Sequence, residues 1–446
     1  MTLSADTTAL LVCGTTCPTW DDAGVQAIMD NFITPTQPGR DITPVAVKTP
    51  EELWPLTGIL RLLGLVAGDP NIFGPGGPAW PDEPWWKLTG FFDRTGNQSV
   101  EAGAAELEDA MLAHPGDDLV IYGLSQGAGV ALTVKKRLAA QYPDGTEAPN
   151  VDFVLQGDVN VPNGGLQARL PGLYIPILDW TFTGPEPTDT QFDTVVISRQ
   201  YDGFSDFPLY PLSVIADVNA LLGIVFLHTR PFDVSLPEDP TESLAYQGTH
   251  GDSSYYFFES PDLPLFAPLR MLGVPEPFID VVEPFFRVLV ELGYDRSIPI
   301  WEPTPARLFP KHDMVTVLAD LGDAVEEGVD NALALIGLPP LGKTTSTFET
   351  SLAVEPYLAD ETTMANEPDT DEAATVEEIE EQDAQASPGA EPASDAEVDE
   401  TKSSAGEEES DAQVAETSDA DLTTPEGSSA ATEASEPADE PSDSGE

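Results

Sequence analysis

Asp117 to Leu132 reads DDLVIYGLSQGAGVAL, and its three parts decide the fold. Leu119 to Tyr122 is a short continuous apolar run, the pattern of a strand covered on both faces. Gly123-Leu124-Ser125-Gln126-Gly127 follows as a turn flanked by glycines. The run SQGAGVALTVKKRLAAQY then places Val130, Val134 and Leu138 at i, i+4 and i+8, one face of a helix. Outward from this unit the same alternation recurs. Ala9 to Cys13, Thr43 to Val47, Asp152 to Leu155 and Thr194 to Ser198 are further candidate strands. Residues 100 to 113 put Ala104, Leu107 and Met111 on one helical face. Later amphipathic helices are predicted over residues 279 to 294 and 313 to 336, joined by the proline-rich segment from Pro299 to Pro310. The fold class that follows is α/β with a mainly parallel central sheet.

The spacing G-x-S-x-G between strand and helix has a chemical reason. A serine in a sharp, strained turn projects its hydroxyl above the sheet, and the flanking glycines remove side chains that would meet the neighbouring strand and helix. The helix that follows aims its first N–H groups at a developing oxyanion, which makes the Gln126 N–H one donor. A second donor is expected from the loop after an early strand, here Cys13-Gly14-Thr15-Thr16-Cys17-Pro18, where Thr15 offers an N–H and a hydroxyl, although Gly-Thr-Thr reads equally as an ordinary turn. Serine needs an imidazole base, itself oriented by a carboxylate, in the chain order Ser, acid, His. Of the four histidines, His114 precedes the nucleophile strand and reads as a loop residue, and His312 reads as surface. His228 ends the apolar run ALLGIVFLH, and His250 lies in the glycine-rich stretch QGTHGDSSYY; position alone leaves both open. For the acid, Asp202 comes first after the strand TVVISRQ, at the end where α/β sites assemble. Asp206 is its rival, with a turn or cap as its structural role. Asp158, in QGDVNVPNGG, reads equally as an Asx turn. Phe204, Phe207, Leu209 and Tyr210 form either an acyl pocket or core.

Composition narrows the rest. A net charge of −61 over 446 residues argues against nucleic-acid and anionic-membrane partners. No run of about 18 apolar residues exists, so no transmembrane segment is expected. Residues 208 to 227 come nearest, but Pro208, Pro211, Asp217 and Asn219 make them a core or lid helix. MTLSADTTALLVCG shows no signal peptide. The two cysteines, Cys13 and Cys17, are too few for a disulfide framework or a zinc site. A bridge across three residues is sterically awkward, so they are read as packed thiols. Pro70 to Trp86 reads as a long packed loop near the site. From Glu361 to Glu446 the chain has no aromatic residue and one basic residue, Lys402, a composition expected to be disordered.

Taken in order from Leu10 to Asp295, the segments CGTTCPTW, TPEELWPLTG, YGLSQGAGVAL, GDVNVPNGG, ISRQYDGFSDFPLYP, SPDLPLFAPLR and VEPFFRVLVELGYD resemble the PE-PPE domain serine hydrolases of actinobacteria, a cutinase-like branch of the α/β hydrolases. The resemblance implies an α/β-hydrolase domain over residues 1–300, to which we add a helical extension over 301–352 and the acidic tail over 353–446. It implies Ser125 as nucleophile with Thr15 and Gln126 at the oxyanion hole. It favours His228 over His250, because the family carries a histidine at the end of the apolar run after its YDG-F-x-D-F-P segment. Here that stretch is Phe226-Leu227-His228-Thr229-Arg230-Pro231, which lacks the tyrosine of the family's V-H-x-x-Y pattern. The implied substrate is an acyl ester or envelope glycolipid, cleaved without metal or organic cofactor by a secreted or envelope-associated enzyme. Acyl transfer to a sugar such as trehalose, and an inactive binding protein, are the alternatives.

Overall fold

The computed structural model describes residues 6–60 and 92–341. The expected loop from Pro70 to Trp86 and the acidic tail lie outside the described residues, as do residues 342–352 of the expected extension.

Among the described residues there are nine strands: β1 (Thr7–Val12), β2 (Ile42–Ala46), β3 (Asp118–Leu124), β4 (Val151–Gln156), β5 (Tyr174–Ile175), β6 (Trp180–Thr181), β7 (Thr194–Arg199), β8 (Tyr246–His250) and β9 (Ser253–Phe258). Seven form one sheet in the order β2-β1-β3-β4-β7-β9-β8. Every pairing in it is parallel except β8 with β9, a hairpin at the edge. The expected strands are all here. The hairpin was not among them, because QGTHGDSSYY alternates polar and glycine residues where one side of the sheet edge stays uncovered. β5 and β6 make a separate two-stranded ribbon.

The central strands β1, β3, β4 and β7 are largely apolar because both sheet faces are packed there. Ala9 and Leu11 of β1 join Ile28, Phe32, Tyr122 and Val154 on one side. Leu10 and Val12 point the other way, to Ala104, Leu107, Val130 and Val134. The first layer is the helix Asp22–Ile28, prolonged by a π-type turn over Met29–Ile33. The second consists of the helices Gly96–Leu112 and Gln126–Gln141. This sandwich of helices around a mainly parallel sheet, with a serine turn between β3 and its helix, is an α/β-hydrolase fold.

A smaller core lies beyond the C-terminal end of β7, where Tyr201, Ala216, Leu263, Ile279, Val290 and Tyr294 pack together. It seats the helix Val214–Gly223, whose last turn runs on as a π-type turn over Ile224–His228. The helix expected over 279 to 294 is shorter, Glu283–Glu291, with Pro284 in its first turn and a separate turn at Glu276–Ile279. The helix Met314–Leu335 matches the expectation. The chain between them returns across the main core: Asn163 donates to Ile300 O, and Arg169 Nη1 to Thr304 O at 2.6 Å. Among the described residues no helix is long and apolar enough to cross a membrane.

Candidate active site

Ser125 follows β3 at φ 56° and ψ −116°, a backbone conformation that costs energy for any residue with a Cβ. Its N–H donates to Gln156 O at the end of β4, and its carbonyl accepts from Ala128 and Gly129, so strand and helix both pin the turn. The glycines on either side are needed for contact. A Cβ on Gly127 would overlap the Cys13 carbonyl oxygen, and one on Gly123 would overlap the Gly127 carbonyl. The helix thus crosses the sheet at a distance that only hydrogen side chains allow.

The loop after β1 packs directly on this turn: a Cβ on Gly14 would come within 3.0 Å of Ser125 Cβ and of the Leu124 carbonyl oxygen. Cys13 and Cys17 are joined here by a disulfide, which corrects the expectation of two thiols. Thr16 adopts φ 76°, and Cys17 N–H donates to Gly14 O at 2.9 Å. That tight turn brings the two Cα atoms to 5.6 Å, inside the normal range for a bridge. The left-handed Thr16 removes the steric objection that spacing alone had raised. Thr15, at the apex of the stapled loop, is half-buried. Gln126 begins the helix, where its N–H has no partner within the helix, and its side-chain amide is tied down by a bond from Nε2 to Glu52 O at 2.9 Å.

Asp202 and His228 meet across the smaller core. His228 Nδ1 lies 2.8 Å from Asp202 Oδ2. The carboxylate also accepts from Phe204 N–H at 3.0 Å and Ser205 Oγ at 3.2 Å, which fixes its plane. An ionised carboxylate can only accept, so in the neutral tautomer of the imidazole Nδ1 carries the proton and Nε2 has the lone pair. Nε2 is buried and makes no hydrogen bond. Phe204 lies edge-on to the imidazole at 4.7 Å, and a Cβ on Gly157, the residue after Gln156, would press on the ring at 2.8 Å. Ser125 and His228 are therefore both seated against the Gln156-Gly157 corner. A small cavity there is lined by Leu124, Gly157, Asp202, Leu227 and His228.

The other candidates fall elsewhere. Asp206 takes a bidentate bond from Arg296 at 2.7 and 3.1 Å and accepts the Tyr201 N–H, so it braces the turn that presents Asp202. Burial works against the Arg296 charge, but the Asp206 and Glu291 carboxylates outweigh it and hold the guanidinium's pKa well above the usual value. Arg296 was not singled out in the sequence, where an arginine ninety residues downstream carries no local signal. His250 sits on β8, stacked on Trp301 with ring centroids 5.9 Å apart. His114 lies 3.4 Å from Asp117. His312, expected at the surface, is half-buried with Nε2 2.8 Å from Leu292 O and its ring against Tyr210. Asp158 accepts the Asn160 N–H at 3.0 Å, the Asx-turn reading. Leu209 and Tyr210 are core residues, whereas Phe204 touches the imidazole.

Comparison with known proteins finds related sequences. Esterase PE16 of Mycobacterium tuberculosis (strain ATCC 25618 / H37Rv) is 44% identical over 251 residues, 54% of this chain and 46% of its own. Diacyltrehalose acyltransferase Chp2 of the same strain is 30% identical over 255 residues, covering 55% of this chain and 68% of that protein. The chain spans about half the length of the curated relatives it matches, 46% of Esterase PE16 and 60% of PE family protein PE3. Among solved structures, the RedJ thioesterase from the prodiginine pathway of Streptomyces coelicolor aligns with a TM-score of 0.25 at 15% identity, covering 65% of this chain and 85% of that one. The PE-PPE domain model matches residues 40–295, more than half of the sequence, and the chain belongs to the PE-PPE domain family.

Proposed function

We propose that the protein is a serine hydrolase of acyl esters in which Ser125 is the nucleophile, His228 the base and Asp202 the residue that orients it. In this reading His228 Nε2 takes the Ser125 proton as Oγ attacks the ester carbonyl. The tetrahedral oxyanion is held by the Gln126 N–H and by Thr15. Collapse expels the alcohol, protonated by His228, and leaves an acyl-serine that water hydrolyses by the same steps in reverse. Asp202 stays ionised throughout and stabilises the imidazolium. The bond between Oγ and Nε2 is open in this state, and in hydrolases it commonly closes only as substrate arrives.

The observation that carries the reading is the pairing of a strained serine turn with an oriented imidazole whose outer nitrogen is buried without a partner. The relative named an esterase supports the reaction class. The test is labelling by a fluorophosphonate probe together with turnover of nitrophenyl acyl esters. Ser125→Ala should abolish both while melting at the wild-type temperature; labelling that persists in this variant removes Ser125 from the role.

Acyl transfer is the second reading, favoured by the relatives named SL1278 acyltransferase Chp1 and diacyltrehalose acyltransferase Chp2. The same acyl-serine serves either acceptor. Product analysis with and without trehalose separates them: transfer yields an acylated sugar, and hydrolysis yields only free acid.

A further inference from the structure

Thr49-Pro50-Glu51-Glu52, part of the TPEELWPLTG segment, is buried against the site: Thr49 is 2% exposed, and Glu51 and Glu52 are each 1% exposed. Two backbone bonds pair this strap with the stapled loop on either side of Cys17. Thr16 N–H donates to Glu51 O and Thr49 N–H to Pro18 O, both at 2.9 Å. The next carbonyl serves the opposite side of the site, since Glu52 O accepts from Gln126 Nε2. Glu52 N–H donates to Ser99 Oγ at 2.9 Å, and that hydroxyl lies 3.4 Å from Gln126 Oε1. Consecutive carbonyls of one strap therefore hold the loop of Thr15 and the residue after Ser125.

The relative position of those carbonyls depends on the backbone of Glu51, which adopts φ 48°. Its side chain folds back inside the protein. Thr49 Oγ1 donates to Oε1 at 2.7 Å, closing a small ring over the strap, and Oε2 is buried without a partner. Burial pushes this carboxyl up to about 8, so at neutral pH it is an uncharged group with no ion pair to satisfy. A neutral acid locked in a strained turn, with no hydrogen bond to Asp202 or His228, has a mechanical use rather than an acid–base one.

We propose that Glu51 is a positioning residue, which sets the separation of the Thr15 loop from Gln126 and thereby the width of the oxyanion hole. The proposal rests on the serine-hydrolase reading. Donors that are misplaced lose their grip on the transition state while ground-state binding survives, so the lesion falls on kcat.

The experiment compares wild type, Glu51→Gln, Glu51→Ala and Gln126→Met in kcat and KM on a soluble short-chain nitrophenyl ester, with melting temperatures alongside. Glu51→Gln presents the same uncharged carbonyl oxygen to Thr49 and should keep kcat within about threefold. Glu51→Ala should lose about tenfold or more in kcat with KM within about twofold. Gln126→Met keeps the backbone N–H but cuts the tie to Glu52 O, and it should show the same kcat-selective loss; it decides the matter if Glu51→Ala does not fold. A folded Glu51→Ala or a Gln126→Met with wild-type kcat overturns the proposal. So does a Glu51→Gln as impaired as Glu51→Ala, which would mark an ionisable role. Wild type inert toward every ester is a separate outcome, sinking the hydrolase reading and the strap with it.

Discussion

Asp202 is saturated by three donors, so exchanging its carboxylate for an amide changes the tautomer of His228 more than its place. An asparagine would offer either an N–H, which Nδ1 must then accept, or a carbonyl with no charge. Asp202→Asn is expected to lower kcat by roughly 10³ to 10⁴ with KM little changed. The same assay separates the two histidines. His228→Ala should lose about 10² or more in kcat, the contribution of a general base. His250→Ala, which removes a ring stacked on Trp301 at the sheet edge, should leave kcat within about twofold. The reverse ranking would move the base to β8. Asp206→Asn should act on folding instead, because Arg296 would be left facing a neutral side chain; a melting temperature equal to wild type would contradict that structural role.

At the scale of elements, the close crossing of β3 and its helix makes Gly127→Ala a sharp probe. The added methyl meets backbone oxygen that cannot rotate away, so the helix must shift. About 1–3 kcal/mol of stability should be lost, read as a lower denaturation midpoint in urea, together with most of the activity. An unchanged midpoint would mean that the crossing is looser than described. The same close packing explains what could be read in advance. Strands covered on both faces must be continuously apolar, and β1, β3, β4 and β7 announce themselves that way. The β8–β9 hairpin lacks that constraint, and its sequence looks like a loop. The histidine at the end of an apolar run was legible as a candidate, but its bond to Asp202 depends on the smaller core that folds beyond β7. The Arg296 brace leaves no pattern in the sequence, and TPEELWPLTG marks the strap only as a segment of the resemblance, since each joins parts far apart in the chain through a few hydrogen bonds.

For the whole molecule, buried acids set the response to pH. Burial raises the Glu51 carboxyl from the usual glutamate value near 4.5 to about 8, and it raises those of Asp158 and Glu186 as well. Between about pH 4.5 and 8 the unfolded chain releases protons that the folded chain retains, so stability should fall as pH rises through this window. The contribution is complete below the lower limit and gone above the upper one. Glu51→Gln should flatten the decline of melting temperature over that range, and a slope equal to wild type would show that the carboxyl does not titrate as described. The disulfide adds a dependence of another kind. Cys13 and Cys17 are 1% and 6% exposed, so once the core has closed, neither oxidant nor thiol reaches the sulfurs readily. Whichever redox state the loop holds at that moment is the one it keeps. Two batches of identical chain, one matured in an oxidising compartment and one recovered from a glutathione-rich cytosol, should therefore differ in specific activity by their production history alone.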